Sequence, residues 1–279
     1  MRAPAALLRF LRQPPAVAGA LILLLVIACA ATADLLYPED PFEIVGRPQL
    51  PPLAEGFLLG TDTLGRDLAA GIVHGARVSL LIGLLTAVFV TAIGVLVGGA
   101  AGYLGGRVDN VLMRVTELFQ TIPSFLFAIV VVAILEPSIE TVLGAIIIVS
   151  WAPLARLVRA EVAGLRSREY VQAAIAMGMG DAAVMLRQIL PNALPAILVA
   201  GSVVVATAIL FESGLSFLGL GDPNIMSWGL MIGAGRPAIR TAWWISGVPG
   251  IAILVTVLAI NLVGDGLNEA LTPRAQAAP

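Results

Sequence analysis

The chain has 279 residues, 59% of them apolar and 12% charged, with a formal net charge of −2 and a mean hydropathy of +0.98. So little charge cannot cover a soluble surface, which makes the bilayer the solvent of most of this polypeptide. All 16 basic residues are Arg, and without Lys the phosphate-cradling G-x-x-x-x-G-K-[ST] loop is impossible, so any ATP is handled by another subunit.

Six charge-free runs follow one another along the chain, at residues 13–33, 78–106, 118–135, 141–155, 188–211 and 241–264. A membrane helix needs about 17 to 25 largely apolar residues, and five of the six runs have that length. The fourth is short. It is completed through residues 156–159 if Arg156 and Arg159 snorkel to the headgroups while Leu154, Leu157 and Val158 supply an apolar face. Residues 223–235 are uncharged too, but too short and too rich in Gly and Pro to span, and they read as a loop or shallow re-entrant element. An ionised side chain is expensive at the bilayer centre, which is why absence of charge counts spans so directly.

With the N-terminus placed in the cytoplasm, 11 of the 16 Arg fall inside: Arg2, Arg9, Arg12, Arg107, Arg114, Arg156, Arg159, Arg166, Arg168, Arg187 and Arg274. The other 5, Arg47, Arg66, Arg77, Arg236 and Arg240, fall outside, the asymmetry that the positive-inside rule expects. The first run ends in Ala31-Thr32-Ala33, which resembles a signal peptidase site, although the run is long for a signal peptide.

Chemistry-bearing residues are scarce. Cys29 lies alone in the first run and reads as a small buried hydrophobe; His74 has no second His or Cys cluster with which to hold a metal. Gly214-Leu215-Ser216-Phe217-Leu218 lacks the second Gly of a nucleophile elbow, so no enzyme active site is visible. Arg114 and Glu117 fall at the cytoplasmic end of the third run, Glu212 at the outer end of the fifth and Asp265 at the inner end of the sixth, positions that suit interfacial anchoring. Glu39, Asp40, Glu43 and Glu55 read as a solvated outer loop. Gly94, Gly98 and Gly102, with Gly99 beside them, form a small-residue ridge that permits close helix packing, within the subunit or against a partner.

A semi-polar segment, residues 169–192, lies on the cytoplasmic side of this topology. Tyr170, Ala173, Ala174 and Met177 recur at helical spacing and define a face that is small in its middle. Gly178 and Gly180 stop that helix by adopting a left-handed conformation, Asp181 caps a second helix, and Pro191 and Pro195 end it and restart the chain as the fifth span. The product is a bent elbow that offers a socket to a soluble partner, or alternatively a helix pair lying on headgroups with Arg166, Arg168 and Arg187 on phosphates.

This segment resembles the EAA loop of ABC-transporter permeases, E-A-A-x3-G-x9-I-x-L-P, through Gln172, Ala173, Ala174, Gly178, Leu190 and Pro191. Gln172 replaces the Glu of that pattern and Gln188 its Ile. Four further stretches, LGTDTLGRD at 59–67, GARVSL at 75–80, SFLGLG at 216–221 and NLVGDGL at 261–267, are similar to the C-type subunit of dipeptide/oligopeptide/nickel permeases.

The resemblance implies an all-α polytopic protein of six transmembrane helices with the ABC type I importer permease fold. Residues 1–75 would hold the N-terminal tail, first helix and outer linker, and residues 76–270 the core, with a coupling loop at about 165–192. The implied activity is import of di- or oligopeptides across a bacterial or archaeal cytoplasmic membrane, both termini cytoplasmic. Implied partners are a second homologous permease, two ABC ATPase subunits, an extracytoplasmic solute-binding protein and membrane lipid, but no nucleic acid. No cofactor is expected in this chain; ATP and Mg would be bound by the ATPases. Residues placed in ATPase coupling are Glu169, Tyr170, Gln172, Ala173, Ala174, Met177, Gly178, Asp181, Leu190 and Pro191. On the outer side, Asp62, Arg66 and Asp67 read as a local Asp–Arg clamp or a binding-protein contact, and Glu212, Ser216 and Asp222 as parts of an outer gate. The alternative function is a self-contained channel or secondary carrier whose helix pair binds lipid.

Overall fold

The computed structural model describes residues 3–271; Arg2 and Arg274, counted above toward the cytoplasmic excess, lie outside them. The described residues form helices α1 (Ala3–Leu11), α2 (Pro14–Ala31), α3 (Ala33–Leu36), α4 (Leu68–Leu104), α5 (Gly106–Thr121), α6 (Ser124–Leu135), α7 (Ile139–Arg166), α8 (Glu169–Ala176), α9 (Asp181–Val184), α10 (Leu190–Phe217), α11 (Trp228–Gly235) and α12 (Trp244–Leu271). A π-helical turn, Met185–Ile189, joins α9 to α10, so that residues 181–217 run as one helix of 37 residues. Helices α2, α4, α7, this composite helix and α12 are each long and apolar enough to cross a membrane.

The third expected span is different. Residues 118–135 are not one helix: α5 and α6 meet at a bend of 80°. Ile122 is extended (φ −93°, ψ 131°) and Pro123 follows it, because a proline ring pushes the preceding residue out of the helical region and removes the N–H that would continue the ladder. Arg114 and Glu117 therefore sit on a separate helix rather than at the end of a span.

Helix α4 begins ten residues earlier than its charge-free run and, at 37 residues, is about 55 Å long, well beyond a hydrocarbon core. It packs along α7 through its glycine ridge. A Cβ on Gly94 would lie 2.9 Å from Leu154 Cγ, one on Gly98 would collide with the Ala155 carbonyl oxygen, and one on Gly102 would lie 2.6 Å from the Arg159 carbonyl oxygen. The ridge is therefore an internal seam of the subunit. A Cβ on Gly99, one residue further round the helix, would meet nothing within 4 Å. Arg156 and Arg159 both turn to α5. Arg156 Nη1 donates to Gln120 Oε1 at 2.6 Å, and Arg159 binds Asp109 with two hydrogen bonds of 2.8 and 2.5 Å.

Three buried apolar clusters hold the bundle together. One, around Trp151, Val158, Val171, Val184 and Ile189, joins α7 to α8, the π-turn and α10. A second, around Ile82, Val132, Ile146 and Leu215, joins the opposite halves of α4, α6, α7 and α10. The third, around Trp228, Ile245 and Ile253, joins α11 and α12 to α4 and α2. Within the uncharged 223–235 stretch, residues 228–235 are thus a short packed helix, α11, wedged between spans, and residues 223–227 a loop leading into it.

Candidate functional site: the coupling elbow and the opposite rim

Helix α8 leaves α7 after a single turn at Ser167 and Arg168. Its Val171 and Ala174 are buried, at 0% and 3% exposure, against Val184 and Ile189 of the following helix. The exposed face consists of Glu169, Tyr170, Gln172, Ala173, Ala176 and Met177, the last 80% exposed. The expected face is corrected accordingly: Ala174 is turned inward and lets α8 approach the elbow, whereas Tyr170, Ala173 and Met177 remain outward. Alanine suits both positions equally well, so helical spacing alone does not distinguish them.

Gln172 Nε2 donates to the carbonyl oxygen of Arg166 at 2.8 Å, satisfying one of the open carbonyls at the end of α7. A Glu carboxylate has no hydrogen to donate there, so the departure from the EAA pattern has a local physical reason. Helix α8 ends in a Schellman arrangement: Met179 N–H reaches Ala174 O at 3.1 Å and Gly178 N–H reaches Ile175 O at 2.9 Å. The φ of +85° at Gly178 explains why Gly stands there. Gly180 is not left-handed; at φ −67° and ψ 152° it precedes α9 as an ordinary extended residue.

Asp181 was expected to cap the second helix, but its side chain caps nothing. It is the first helical residue, and its Oδ1 accepts from the Tyr103 hydroxyl at 2.7 Å. The Arg166 guanidinium lies 5.1 Å from the centre of the Tyr103 ring. Tyr103, near the end of α4, therefore ties together α4, the end of α7 and the start of α9. Sequence reading missed it; the available signal was a hydroxyl-bearing aromatic at the end of a span, a place where such rings keep the polar tip hydrogen-bonded.

Pro191 and Pro195 were expected to end the second helix, and they do not. The chain stays helical through both, Pro191 in the first turn of α10 and Pro195 inside it. The π-turn lies immediately before Pro191, with Leu190 N–H bonded five residues back to Met185 O. Widening the helix there relieves the contact between the proline ring and the preceding turn. Asn192 Nδ2 donates to Gln188 O at 2.6 Å across this join. Leu190 and Pro191 thus belong to a rigid continuation of the elbow into α10.

The opposite rim is built by residues 37–67 and by α11. Asp62 Oδ1 accepts from the backbone N–H groups of Leu64 and Arg66 at 2.8 and 2.9 Å. Gly65, at φ +90°, closes this turn, and its carbonyl accepts from Val45 and Gly46. The Arg66 guanidinium stacks 4.9 Å from the Phe42 ring centre, so the expected Asp–Arg clamp is replaced by backbone caps and a cation–π contact. Asp67 caps α4 by accepting from Ala69 N–H at 2.8 Å. Burial pushes its carboxyl above the ordinary value, against the pull of the Ala69 and Ala70 N–H groups. Asp62, Arg66 and Asp67 line one small cleft with Met226 and Met231 of the α11 region.

Glu212 is not an interfacial anchor. It is 2% exposed, and Oε1 accepts from Ser227 Oγ at 2.7 Å and Ser216 Oγ at 2.9 Å, with Ser213 Oγ 3.4 Å from Oε2. Ser227 is also the N-cap of α11, accepting from Leu230 N–H at 3.2 Å. Glu212 therefore fastens the end of α10 to the start of α11. Trp228 Nε1 donates to Ile72 O of α4 at 2.9 Å and fastens α11 on its other side. Asp222 accepts from Asn224 N–H at 2.9 Å and borders the same crevice as Glu212 and Ser216. Among the described residues no group of His, Cys, Asp or Glu is arranged to hold a metal.

Residues 91–277 match the family described as the binding-protein-dependent transport system inner membrane component, and residues 5–52 match the N-terminal transmembrane domain of oligopeptide transport permease C. The chain belongs to this permease family. It is 41% identical to the di/tripeptide transport system permease protein DppC of Pseudomonas aeruginosa, over 95% of this chain and 90% of that one. It is 37% identical to the dipeptide transport system permease protein DppC of Bacillus subtilis, over 95% and 84%, and 36% identical to OppC of the same organism, over 96% and 88%. The fold is shared with a chain of the MetNI methionine ABC transporter in an inward-facing conformation, at a TM-score of 0.61 and 18% identity over 72% of this chain and 96% of that one. The permease therefore has the ABC importer fold, and α8 to α10 form the elbow between two of its spans.

Proposed function

We propose that this permease is the C-type membrane subunit of an ATP-driven importer of di- or oligopeptides, itself without catalytic activity. In this reading it pairs with a second permease, rests on two ATPase subunits that bind ATP and Mg, and receives substrate from a binding protein on the far side of the membrane. Both termini and α8 face the cytoplasm, on the Arg-rich side. The observation that carries the proposal is the exposed α8 face, presented by an elbow whose every joint is hydrogen-bonded or packed. A free surface helix would not need Tyr103, Gln172, Val171 and Ala174 to fix its orientation.

The coupling follows from the connections. ATPase closure displaces Tyr170, Ala173 and Met177; the elbow, fixed to α7 through Gln172 and continuous with α10 through the π-turn, carries both spans with it. Helix α4 provides a second route, bonded to the elbow at Tyr103 and to α11 at Ile72. Its span between those residues is about 46 Å, long enough to link one rim of the membrane to the other. The peptide class rests on the names of the relatives.

Affinity purification of the tagged permease from its native membrane tests the assignment. ATPase chains should accompany it, and addition of a peptide-loaded binding protein should stimulate their ATP hydrolysis. A permease that purifies alone and moves solute in liposomes without nucleotide would establish the channel or carrier alternative instead.

A further inference from the structure

Glu212 is a buried acid that no base faces. Its neighbours are Ser213 and Ser216 of α10, Ser227 at the start of α11, and Ser79 of α4, which is fully buried and lies beside the carboxyl but outside bonding geometry. The two basic residues of α4 turn elsewhere: Arg77 to Asp34 and the carbonyl oxygens of Ala30 and Ala31, and His74 to Tyr37 O. Helix α11 carries no charge, and Arg236 after it stacks on Phe217. Glu140, near the start of α7, is exposed. Asp222, which borders the same crevice, is itself an acid.

Counting hydrogens around the carboxyl leaves one missing. Ser227 and Ser216 each donate their hydroxyl hydrogen to Oε1. Ser213 has a single hydroxyl hydrogen, and it is spent on the Ile209 carbonyl oxygen at 2.7 Å, which can only accept. Ser213 Oγ therefore turns a lone pair toward Oε2, 3.4 Å away. The Leu230 and Met231 N–H groups of α11 are taken by Ser227 Oγ and Ser227 O. An ionised carboxylate would leave Oε2 bare, facing a lone pair, with its charge uncompensated in a site that is 2% exposed. That cost exceeds the worth of any hydrogen bond present.

We propose that Glu212 is held as a carboxylic acid, its hydrogen on Oε2 toward Ser213 Oγ and Ser79 Oγ, and that this proton locks α11 onto α10. The crevice beside it offers about 10 Å³, room for one water at most. It excludes a guanidinium or a hydrated cation but lets a proton leave. On ionisation the Oε2–H bond breaks, its electron pair stays on Oε2, and the proton passes to water on the outer side. The negative charge then faces the Ser213 lone pair and Asp222. Helix α11 presses so closely here that a Cβ on Gly229 would lie 3.1 Å from Oε1, so it yields first, while Trp228 still holds it to Ile72 O of α4. Outer pH thus sets how tightly the outer rim is fastened, whatever solute the complex moves.

The test uses the assembled complex in nanodiscs, without nucleotide or solute. Infrared difference spectra of the parent against Glu212→Gln at neutral pH should show the carbonyl stretch of a protonated carboxyl, shifted down in D2O and lost at alkaline pH. Glu212→Gln keeps a hydrogen to give to Ser213, so its latch stays closed at every pH. Hydrogen–deuterium exchange of the peptide holding residues 228–235, compared between the two proteins at the same pH, cancels the intrinsic dependence of exchange on pH. The parent should exchange no faster than Glu212→Gln at neutral pH and about tenfold faster at alkaline pH, the worth of roughly one buried hydrogen bond. Absence of the carboxyl band at neutral pH would overturn the protonated state. Equal exchange of the two proteins at alkaline pH would overturn the lock.

Discussion

Gly98→Ala tests the seam between α4 and α7 on its tightest point. An added Cβ would overlap the Ala155 carbonyl oxygen while standing 2.9 Å from both Arg159 N and Val158 Cβ. Two of these three neighbours are backbone atoms, so no rotamer change makes room and the helices must part by roughly 1 Å. Overpacking of this kind costs about 1–3 kcal/mol. The upper half of that range applies here, because a gap of 0.5–1 Å forfeits about a quarter to a half of each dispersion contact along the line Gly94–Leu154 to Gly102–Val162. Gly99→Ala is the internal control: one residue along, its Cβ meets nothing within 4 Å, and replacing Gly by Ala in a helix interior is worth up to about 1 kcal/mol. Thermal unfolding in detergent, followed by reaction of Cys29 with a thiol-reactive dye, should show Gly98→Ala melting lower than the parent and Gly99→Ala at or above it. Because the helix-propensity gain is common to both, the two variants should differ by the overpacking cost alone, about 2–3 kcal/mol. A Gly98→Ala protein that melts with Gly99→Ala would refute the close-packed seam.

Three other outcomes follow from the site. Tyr103→Phe deletes the hydroxyl bonded to Asp181 but keeps the ring under Arg166; it should cost only about 1 kcal/mol of stability while lowering solute moved per ATP hydrolysed, and an unchanged ratio would remove α4 from the coupling route. Glu212→Ala leaves the serine hydroxyls of α10 and α11 without their shared acceptor and should destabilise by about 2–4 kcal/mol, whereas Glu212→Gln, which keeps an Oε1 for Ser216 and Ser227, should lose about 1 kcal/mol; equal losses would show that the hydrogen bonds do not matter. The Arg77 guanidinium, bonded to Asp34 at 2.8 Å, holds that carboxyl below its ordinary 3.8. A lowered pKa adds stability that is complete above that ordinary value and lost as pH falls through the folded one, so acid titration below about pH 4 should loosen the α3–α4 contact, and Asp34→Asn should abolish that acid step.

The spans were legible because absence of charge is a property of the bilayer rather than of packing, and five of six runs became long helices. The run at 118–135 shows the limit of that criterion: Pro123 carries no charge, so charge counting passed over the residue that bends the chain. Gly94, Gly98 and Gly102 declared a close contact but not its partner, since a bare Cα stripe serves an internal seam and a dimer face equally. In the elbow, Gly178 announced its left-handed turn through residue type, while Ala173 and Ala174 gave no hint of which one faces inward; burial of Val171 decides it. Pro191 signalled a helix end on local rules, and the π-turn before it allowed the helix to persist. Glu212 illustrates the remaining gap. Two of its serines are within four residues and were visible, but Ser227 lies fifteen residues away, and only the return of α11 onto α10 turns an apparent surface acid into a buried fastening.

The most direct measurement is nucleotide-dependent crosslinking of Met177→Cys, in a Cys29→Ser background, to cysteines placed on the ATPase subunits of the purified complex. Met177 is 80% exposed on the α8 face, and docking of that face requires a crosslink that forms with high yield, changes with ATP, and is diminished by Ala173→Glu together with transport. Labelling of Met177→Cys from the extracytoplasmic side of intact cells, or a complex in which the crosslink never forms while uptake proceeds normally, would contradict the coupling role of the elbow.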